Sequence, residues 1–378
     1  MNKYILSLLL LSLPAARAEV NIGGLVDIVF KNSGEQDITN ITFKGFSNFH
    51  SLRTRFFFDA QVDDKVSLFT QVLINDNTFS IYAAYARIQK IADNYLNLNI
   101  GFIPTPVGSF VSRTYSDKNP LLGQPLMYIH HSNYVPGRPD SLRAVDDLLA
   151  NRIRRSQYGL PVIYDACWNS GVEFYGSAGK LDYSLGLIAG SVGYPNLEQK
   201  KDFPQLTTHL TWYFSPGLSI GGSAFVGPYL FEGGFADVLP VNSAGQAKSF
   251  NDYLNVGAAG EFHLATGYYE FYAEGVYNYW EHPYLPNLAI LAGYLEAQYK
   301  FLPGWYIAAR YDLWEPNKLA DSLGEKIRWD YPVQRFEAGL GYHPYRRVTI
   351  KAVAQINRFS GTDLFDNELY ALQLSFGF

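Results

Sequence analysis

The stretch that decides the fold is NELYALQLSFGF, which runs from Asn367 to Phe378. Glycine, serine, glutamine and alanine alternate here with apolar residues, which are Tyr370, Leu372, Leu374, Phe376 and Phe378. Successive side chains of a β-strand point to opposite faces of the sheet. The alternation therefore predicts a strand whose two faces meet different environments.

The first residues, MNKYILSLLLLSLPAARAEV, predict a secretory signal peptide. Lys3 supplies a positive start, an apolar run extends from Tyr4 to Leu13, and the small residues Ala16 and Ala18 fit a cleavage site. The run is too short to span a bilayer. We expect residues 1–18 to be removed and the mature chain to begin at Glu19.

The composition of the mature chain excludes several classes of protein. Without the signal peptide, 28 basic residues face 35 acidic ones, so a nucleic-acid partner is not expected. A single cysteine, Cys167, excludes an internal disulfide framework. No apolar run after the signal peptide approaches the roughly 20 residues of a spanning helix. Aromatic residues nevertheless make up 16% of the chain, and tyrosine suits a boundary between water and an apolar phase.

Alternating segments of about ten to fourteen residues recur about sixteen times, which is the length of tilted strands that cross a bilayer. Short and long connections alternate between these segments. The pattern predicts an all-β fold, a transmembrane up-and-down antiparallel β-barrel of about sixteen strands that occupies residues 19–378. A soluble β-sandwich is the alternative, but it does not require the regular alternation of connection lengths. The long connections are 32–46, 105–167, 192–205, 230–251 and 316–330.

In the predicted barrel, one face of each strand contacts lipid and the other faces the lumen. In the second segment, Leu52, Thr54 and Phe56 would face lipid, whereas Arg53 and Arg55 would face the lumen. In the last segment, the lipid-facing row includes three residues that we interpret as an assembly signal: Phe378, Phe376 and Tyr370.

Three stretches resemble bacterial outer-membrane porins of the general porin superfamily. VNIGGLVDIVF resembles the first porin strand, with Gly24 and Asp27 in place. SLRTRFFFDAQVDDKVSLFTQVLIND resembles the second and third strands with their tight turn. YLNLNIGFIPTPVG resembles the fifth strand where it enters the third loop. In this order, and with the C-terminal aromatic strand, the resemblance covers the whole mature chain.

The resemblance implies the fold, the location and the partners of a porin. It implies sixteen strands in the outer membrane of a Gram-negative bacterium, a third loop that constricts the pore, and a last strand read by the barrel assembly machinery. It also implies contact with lipid and lipopolysaccharide, and often a homotrimer. The second external loop, near Asn75–Thr78, is very short, although porin trimers commonly use this loop as a latch.

The connection 105–167 is far longer than ordinary loops, and loops of such length are usually functional or disordered. It contains PDSLRAVDDLLANRIRRSQ, in which Leu142, Val145 and Leu148 fall at helical spacing. We hypothesise that the connection folds into the lumen and narrows it. The alternative is an external cap packed on other loops.

Clustered charges on the predicted inner wall and in this loop indicate where a constriction would form. The basic row Arg53, Arg55 and Arg87 would face Asp146 and Asp147 of the loop, and opposite charges across a pore create a transverse field. The alternative is that lumen charges only keep a wide pore wet. The complete set of pore-lining candidates is Arg53, Arg55, Arg87, Asp146, Asp147, Arg152, Arg154, Arg155, Arg310 and Arg335.

Catalytic and metal-binding patterns are sparse. His130, His131 and Ser132 suggest a serine hydrolase, but no nucleophile elbow accompanies them. Glu261 and His263 share one face of a predicted strand, and we interpret them as residues of the inner barrel wall. No spacing of histidine and cysteine indicates a metal site, and no cofactor is expected.

Together these observations predict a passive diffusion channel for ions and small hydrophilic solutes, and not an enzyme. Three alternatives stay open. The first is a non-conducting barrel that sheathes or anchors a partner, such as an electron-transfer protein. The second is a solute-specific porin, and the third is an outer-membrane hydrolase.

Overall fold

A computed structural model describes residues 19–33, 52–75, 78–135, 144–150, 152, 159–165, 168–195, 203–230 and 248–378. The predicted signal peptide, residues 1–18, lies outside the described residues, as do Arg154, Arg155 and Cys167. No helix among the described residues is both long and apolar enough to cross a membrane.

The chain forms a closed barrel of sixteen antiparallel strands, as the sequence predicts. A separate hairpin, β14 and β15, lies in the connection between β13 and β16 and was not predicted. The strands are β1 (Glu19–Ser33), β2 (Leu52–Gln61), β3 (Val66–Asn75), β4 (Thr78–Ile88), β5 (Asn97–Pro104), β6 (Trp168–Ala178), β7 (Leu181–Ile188), β8 (Gln205–Ser215), β9 (Leu218–Pro228), β10 (Leu254–Ala265), β11 (Tyr269–Trp280), β12 (Leu288–Leu302), β13 (Trp305–Pro316), β14 (Lys318–Ala320), β15 (Lys326–Arg328), β16 (Val333–Tyr345), β17 (Val348–Phe359) and β18 (Asn367–Gly377).

The described helices are short and belong to connections between the strands of the barrel wall. Two are α-helical, α1 (Leu126–Ile129) and α2 (Val145–Ala150), and both belong to the connection between β5 and β6. Phe110–Arg113 of the same connection and Phe250–Asp252 form single 3₁₀ turns. The helix that the sequence predicts in this connection is therefore present as the short α2.

The two rims of the barrel differ in their connections. One rim carries tight turns, and we call it the short-turn rim. Two of its turns contain Gly179 and Gly304, which have positive φ angles of 63° and 78° and so adopt the left-handed conformation that glycine tolerates best. The opposite rim, which we call the long-loop rim, carries the longer connections, including the one between β5 and β6.

The barrel closes where β1 pairs with β18. The register places Leu25 opposite Gly377 and Ser33 opposite Leu369. Gly24 and Phe378 exchange two backbone hydrogen bonds, of 3.1 and 3.0 Å, at the short-turn rim. Closure leaves no sheet edge, and this matters because each unpaired backbone group in lipid would cost several kcal/mol.

The outer wall is apolar and the inner wall is mixed, as the alternation in the sequence predicts. On β18, Tyr370, Leu372 and Phe376 are exposed to the outside of the barrel. Their neighbours Gln373 and Ser375 point inward and are buried. Rows of this kind surround the barrel, and exposed aromatic residues gather near the short-turn rim: Trp212, Tyr213, Phe214, Tyr268, Tyr269, Tyr299 and Phe301.

We predict that Phe378→Ser slows insertion of the barrel. The Phe378 ring covers Gly24 on the lipid face and packs edge-on against Phe56, with 6.0 Å between the two ring centroids. Serine loses this contact at the point where the first and last strands join. The rate at which heat-modifiable folded protein appears in lipid vesicles measures the effect. Tyr345→Ser, at an exposed rim position, is the control. Equal rates for Phe378→Ser and wild type would contradict the prediction.

Candidate functional site

The long connection between β5 and β6 enters the barrel and crosses its interior. The backbone N–H of Gly108 donates to the Ser223 hydroxyl of β9 at 2.9 Å. The N–H of Leu126 donates to the Asp312 carboxylate of β13, also at 2.9 Å. Most of residues 105–134 are buried, and this segment lies against inward-facing wall residues rather than above the rim. We call residues 105–135 the lumen loop.

Arg310 is the centre of a buried charge network that holds the lumen loop. Its guanidinium contacts three carboxylates, of Glu337 at 2.5 Å, of Glu296 at 3.2 Å and of Asp312 at 3.2 Å. It also donates to the carbonyl oxygen of Gly123 in the lumen loop at 2.8 Å. All four charged side chains are at most 1% exposed. Arg310 therefore contacts the loop and the wall instead of solute.

Neighbouring wall charges bind the backbone of the lumen loop directly. Glu337 accepts hydrogen bonds from the N–H groups of Leu122 and Gly123, at 3.0 and 3.1 Å. The Lys351 ammonium donates to three carbonyl oxygens of the loop, at 2.5, 2.6 and 3.2 Å. Arg335 donates to the carbonyl oxygen of Gln124 at 3.0 Å. A loop without regular structure needs such partners, because buried backbone groups are rarely left without a hydrogen bond.

The lumen loop contributes its own cation to this wall. Arg113 contacts Glu296 at 2.5 Å and donates to the Tyr294 hydroxyl at 3.0 Å. Its guanidinium also lies 3.4 Å from the centroid of the Tyr272 ring. Burial by itself would lower the pKa of Arg113, but Glu296 and the neighbouring tyrosines raise it above its ordinary value. Arg113 therefore stays charged and completes the network from the loop side.

The predicted basic row lies on a different part of the wall, on β2 and β4. Arg55 is buried and contacts Asp27 of β1 at 3.3 Å. Arg53 donates to the Asn75 side chain at 3.1 Å, and Arg87 donates to the Tyr85 hydroxyl at 2.9 Å. Arg53 and Arg87 are only half-buried. The structure thus places the basic row on β2 and β4, the two strands that flank β3, and keeps two of its three members accessible.

The acids predicted to face this row lie elsewhere. Asp146 of α2 is exposed, and its carboxylate accepts a hydrogen bond from the N–H of Ser322, in the connection that carries β14 and β15. Hydrogen bonds from the side chain and the backbone of Ser322 lower the pKa of Asp146. Asp147 accepts from the N–H of Ala144 at 3.2 Å, and Arg152 donates to the carbonyl oxygen of Arg328 at 3.1 Å. The expectation that Asp146 and Asp147 oppose the basic row is corrected, because α2 packs on the long-loop rim.

The interior of the barrel is packed with apolar side chains near the long-loop rim. The barrel wall and the loops both contribute side chains to this apolar core. In it, the Trp280 and Trp329 rings pack edge-on with 6.4 Å between their centroids. The hydroxyl groups of Tyr134 and Tyr229 meet at 3.1 Å within this core. Fully or almost fully buried members include Phe110, Leu126, Met127, Tyr128, Tyr134, Leu160, Val162, Ile163, Tyr229, Trp280, Trp314 and Trp329.

A band of charged wall residues nearer the short-turn rim keeps partial contact with solvent. Glu261 accepts from His209 at 2.7 Å, and the two side chains are 9% and 24% exposed. His263 stacks on Tyr272 with 4.4 Å between ring centroids and is 29% exposed. Asn99 donates to Glu173 at 2.8 Å, and Glu173 is half-buried. Charged side chains with access to water inside a barrel indicate an aqueous space.

The structure does not present an accessible nucleophile at the histidine pair. His130 and Ser132 are fully buried, and His131 is 5% exposed. The His130 ring lies edge-on against Trp314, with 4.9 Å between centroids. Among the described residues, no group of three or more histidine, cysteine, aspartate or glutamate side chains is arranged to hold a metal ion.

Several contributors to this site were not among the residues that the sequence singled out. Glu337, Glu296 and Lys351 are not among the pore-lining candidates, and Asp27 enters the sequence analysis only through the resemblance to a first porin strand. Their inward positions follow from the alternation along β1, β12, β16 and β17. No sequence signal shows which of them bind the lumen loop, since that depends on the path of the loop.

Solved structures that share this architecture are bacterial outer-membrane channels and porins. The outer-membrane channel DcaP of Acinetobacter baumannii is 13% identical over 97% of this chain and 99% of its own, with a TM-score of 0.56. The anion-selective porin from Comamonas acidovorans is 8% identical over 96% and 100%, with a TM-score of 0.57. OmpF of Salmonella typhi, in complex with daunomycin, is 11% identical over 96% and 98%, with a TM-score of 0.58.

No protein-family model matches the chain, and no curated protein matches it. The structural likeness, at these low identities, shows the fold. The chain has the sixteen-stranded fold of Gram-negative outer-membrane porins, so the resemblance seen in the sequence is confirmed at the level of the fold. The closed barrel and its apolar outer wall fit the bacterial outer membrane.

We predict that Arg310→Met destabilises the folded protein by about 3–5 kcal/mol, because it leaves three buried carboxylates without their shared cation. Arg358→Met is the matched control, since Arg358 contacts Glu368 in a pair whose side chains are 48% and 46% exposed. Loss of such an exposed pair should cost about 0–1 kcal/mol. Urea unfolding in lipid vesicles measures both values. Equal destabilisation by the two variants would contradict the anchoring role of Arg310.

Proposed function

We propose that this protein is an outer-membrane porin that lets ions and small hydrophilic solutes diffuse passively through a narrowed lumen. The observation that carries the proposal is the band of half-buried charges inside a barrel whose outside is apolar. An interior without water would bury these charges at a cost of several kcal/mol each. The short-turn rim would face the periplasm and the long-loop rim the exterior, as is usual for this architecture.

The lumen loop makes the proposed channel narrow and off-centre. Its contacts with Arg310, Glu337 and Lys351 hold it against β13, β16 and β17. On the other side of the lumen, Arg53 and Arg87 on β2 and β4 stay half-buried. The permeation path therefore runs along the basic row, between this wall and the loop.

Asp165 connects the lumen loop to β4 beside the basic row, and these contacts form a constriction of mixed polarity. Asp165 accepts from the Tyr82 hydroxyl at 2.7 Å and from the Gln124 side chain at 2.6 Å. Tyr82 belongs to β4, next to the basic row. Donors and acceptors on both sides would replace the water of a passing solute, which is how pores select by hydrogen bonding and charge. No catalytic step and no cofactor are needed for such passage.

The partner-sheathing alternative fits the interior less well. The protein's own lumen loop and its apolar core occupy the space near the long-loop rim that a threaded partner would need. The hydrolase alternative lacks an accessible nucleophile because Ser132 is buried. Stable ohmic steps in single-channel recordings of purified protein support the porin. Silence from protein shown to be folded would reject conduction and favour a closed barrel.

We predict opposite shifts in ion selectivity from two variants on β4 and β6, the strands on either side of β5. Arg87→Gln removes a positive charge from the proposed path and should move the reversal potential toward cation preference. Glu173→Gln removes a negative charge nearby and should move it toward anion preference. Reversal potentials in a tenfold potassium chloride gradient measure both shifts, and low ionic strength on both sides reduces the screening of a single lumen charge.

The control for this pair is Arg358→Gln, which removes an exposed charge outside the proposed path. Its reversal potential should equal that of wild type. Conductance without any shift in Arg87→Gln and Glu173→Gln would place the permeation path elsewhere.

A further inference from the structure

A cavity of about 530 Å³ opens at the short-turn end of the lumen. It lies between lumen-loop residues 115–118, strands β1–β3 and strands β16–β18. Its volume falls within the range of sites for small molecules. The residues of this cavity that matter for the argument are Phe57, Phe69, Tyr115, Lys118, Arg346 and Arg347.

One wall of the cavity is aromatic. Phe57 and Phe69 stack with 6.4 Å between ring centroids, and Tyr115 packs edge-on against Phe57 at 5.5 Å. All three rings are half-buried, so part of each remains accessible inside a lumen that also carries charges. The Tyr115 hydroxyl donates to Gln71 at 2.9 Å, which fixes its ring in place. Fixed, accessible rings favour a planar apolar group, because stacking adds to the free energy of burial.

The rim of the cavity carries an excess of positive charge. Lys118, Arg346 and Arg347 are exposed cations that line it. They face the Asp117 carboxylate and the terminal carboxylate at Phe378, so cations outnumber anions among the described lining residues. Lys118 also lies 5.9 Å from the centre of the Tyr115 ring, which places a cation beside the aromatic wall. Guanidinium groups bind carboxylates with two parallel hydrogen bonds.

The combination of the two walls selects among solute classes. A neutral sugar would use the rings but not the excess charge, and an aromatic cation would be repelled by the arginines. A small inorganic anion would leave the rings unused. From this geometry we infer that the cavity binds small aromatic carboxylates. The inference rests on the proposed channel function, because it names the class of solute that the pore would favour.

Equilibrium binding to the folded full-length protein in detergent tests this inference, with benzoate as the probe and titration calorimetry as the measurement. Benzamide has the same ring without the charge. Benzoate should bind about tenfold more tightly than benzamide, the effect expected of a charge-assisted hydrogen bond. Arg346→Gln combined with Arg347→Gln should remove this difference and leave benzamide binding unchanged.

One variant tests the aromatic wall of the cavity, and a matched control tests whether the effect depends on the cations that line it. Phe57→Leu keeps the apolar volume but loses the ring face, and it should weaken the binding of benzoate and benzamide alike. Phe69→Leu repeats this test on the second ring if Phe57→Leu does not fold. Lys300→Gln removes an exposed cation near the same rim that does not line the cavity, and benzoate affinity should stay at the wild-type value.

Three results would overturn the inference: equal affinity for benzoate and benzamide, full benzoate affinity in the double arginine variant, or no benzoate binding by folded protein. The binding measurement does not require conduction. Ohmic conductance without benzoate binding therefore rejects the pocket and leaves the porin standing. If the protein does not conduct but binds benzoate in a charge-dependent way, the result rejects conduction and supports the binding pocket.

Discussion

The structure depends on one constraint, which is that lipid offers no hydrogen-bond partner to a peptide group. A sheet that crosses a membrane must therefore pair every strand on both sides, and only closure achieves this. Here closure occurs between β1 and β18, where Gly24 and Phe378 exchange two backbone hydrogen bonds. Once the barrel is closed, the alternation of each strand fixes which side chains meet lipid and which meet the interior. The remaining features of the molecule concern what fills that interior.

A barrel of sixteen strands is too wide for its own wall side chains to fill, and larger barrels enclose channels or plugs. The lumen loop takes up much of this space, but it brings backbone groups that need partners. Wall charges supply them: Glu337 accepts from two N–H groups and Lys351 donates to three carbonyl oxygens. The carboxylates around Arg310 then balance the cations. The buried charge around Arg310 thus fixes the position of the loop.

This arrangement divides the interior into two parts with different roles. Near the long-loop rim, apolar residues from the wall and the loops form a buried core that fills part of the interior. Nearer the short-turn rim, Glu173, Glu261 and His263 keep contact with water, and the aromatic cavity opens beside them. In the proposed porin, the first part would limit the size of solutes and the second would determine their charge and shape. Both would act on a path along β2 and β4.

The sequence by itself determined the barrel. Strict alternation in stretches such as Tyr370 to Phe378 indicates a strand with one lipid-facing side, because a period of two fixes the face to which each side chain points. The alternation of short and long connections determined the topology. The length of residues 105–167 marked a functional segment, without deciding between a loop inside the lumen and an external cap. The inward positions of Arg53, Arg55, Arg87, Arg310 and Arg335 followed from the same period.

Only the tertiary structure decided what these inward residues do. Arg310 and Arg335 bind the loop and the wall, whereas Arg53 and Arg87 keep access to the lumen, although all four look alike in sequence. Asp146 lies at the long-loop rim. The path of an irregular loop depends on contacts with strand residues more than a hundred positions away in the sequence, such as Arg310 and Lys351. A local pattern reports the direction of a side chain from its own strand. It does not report which distant backbone group will reach that side chain.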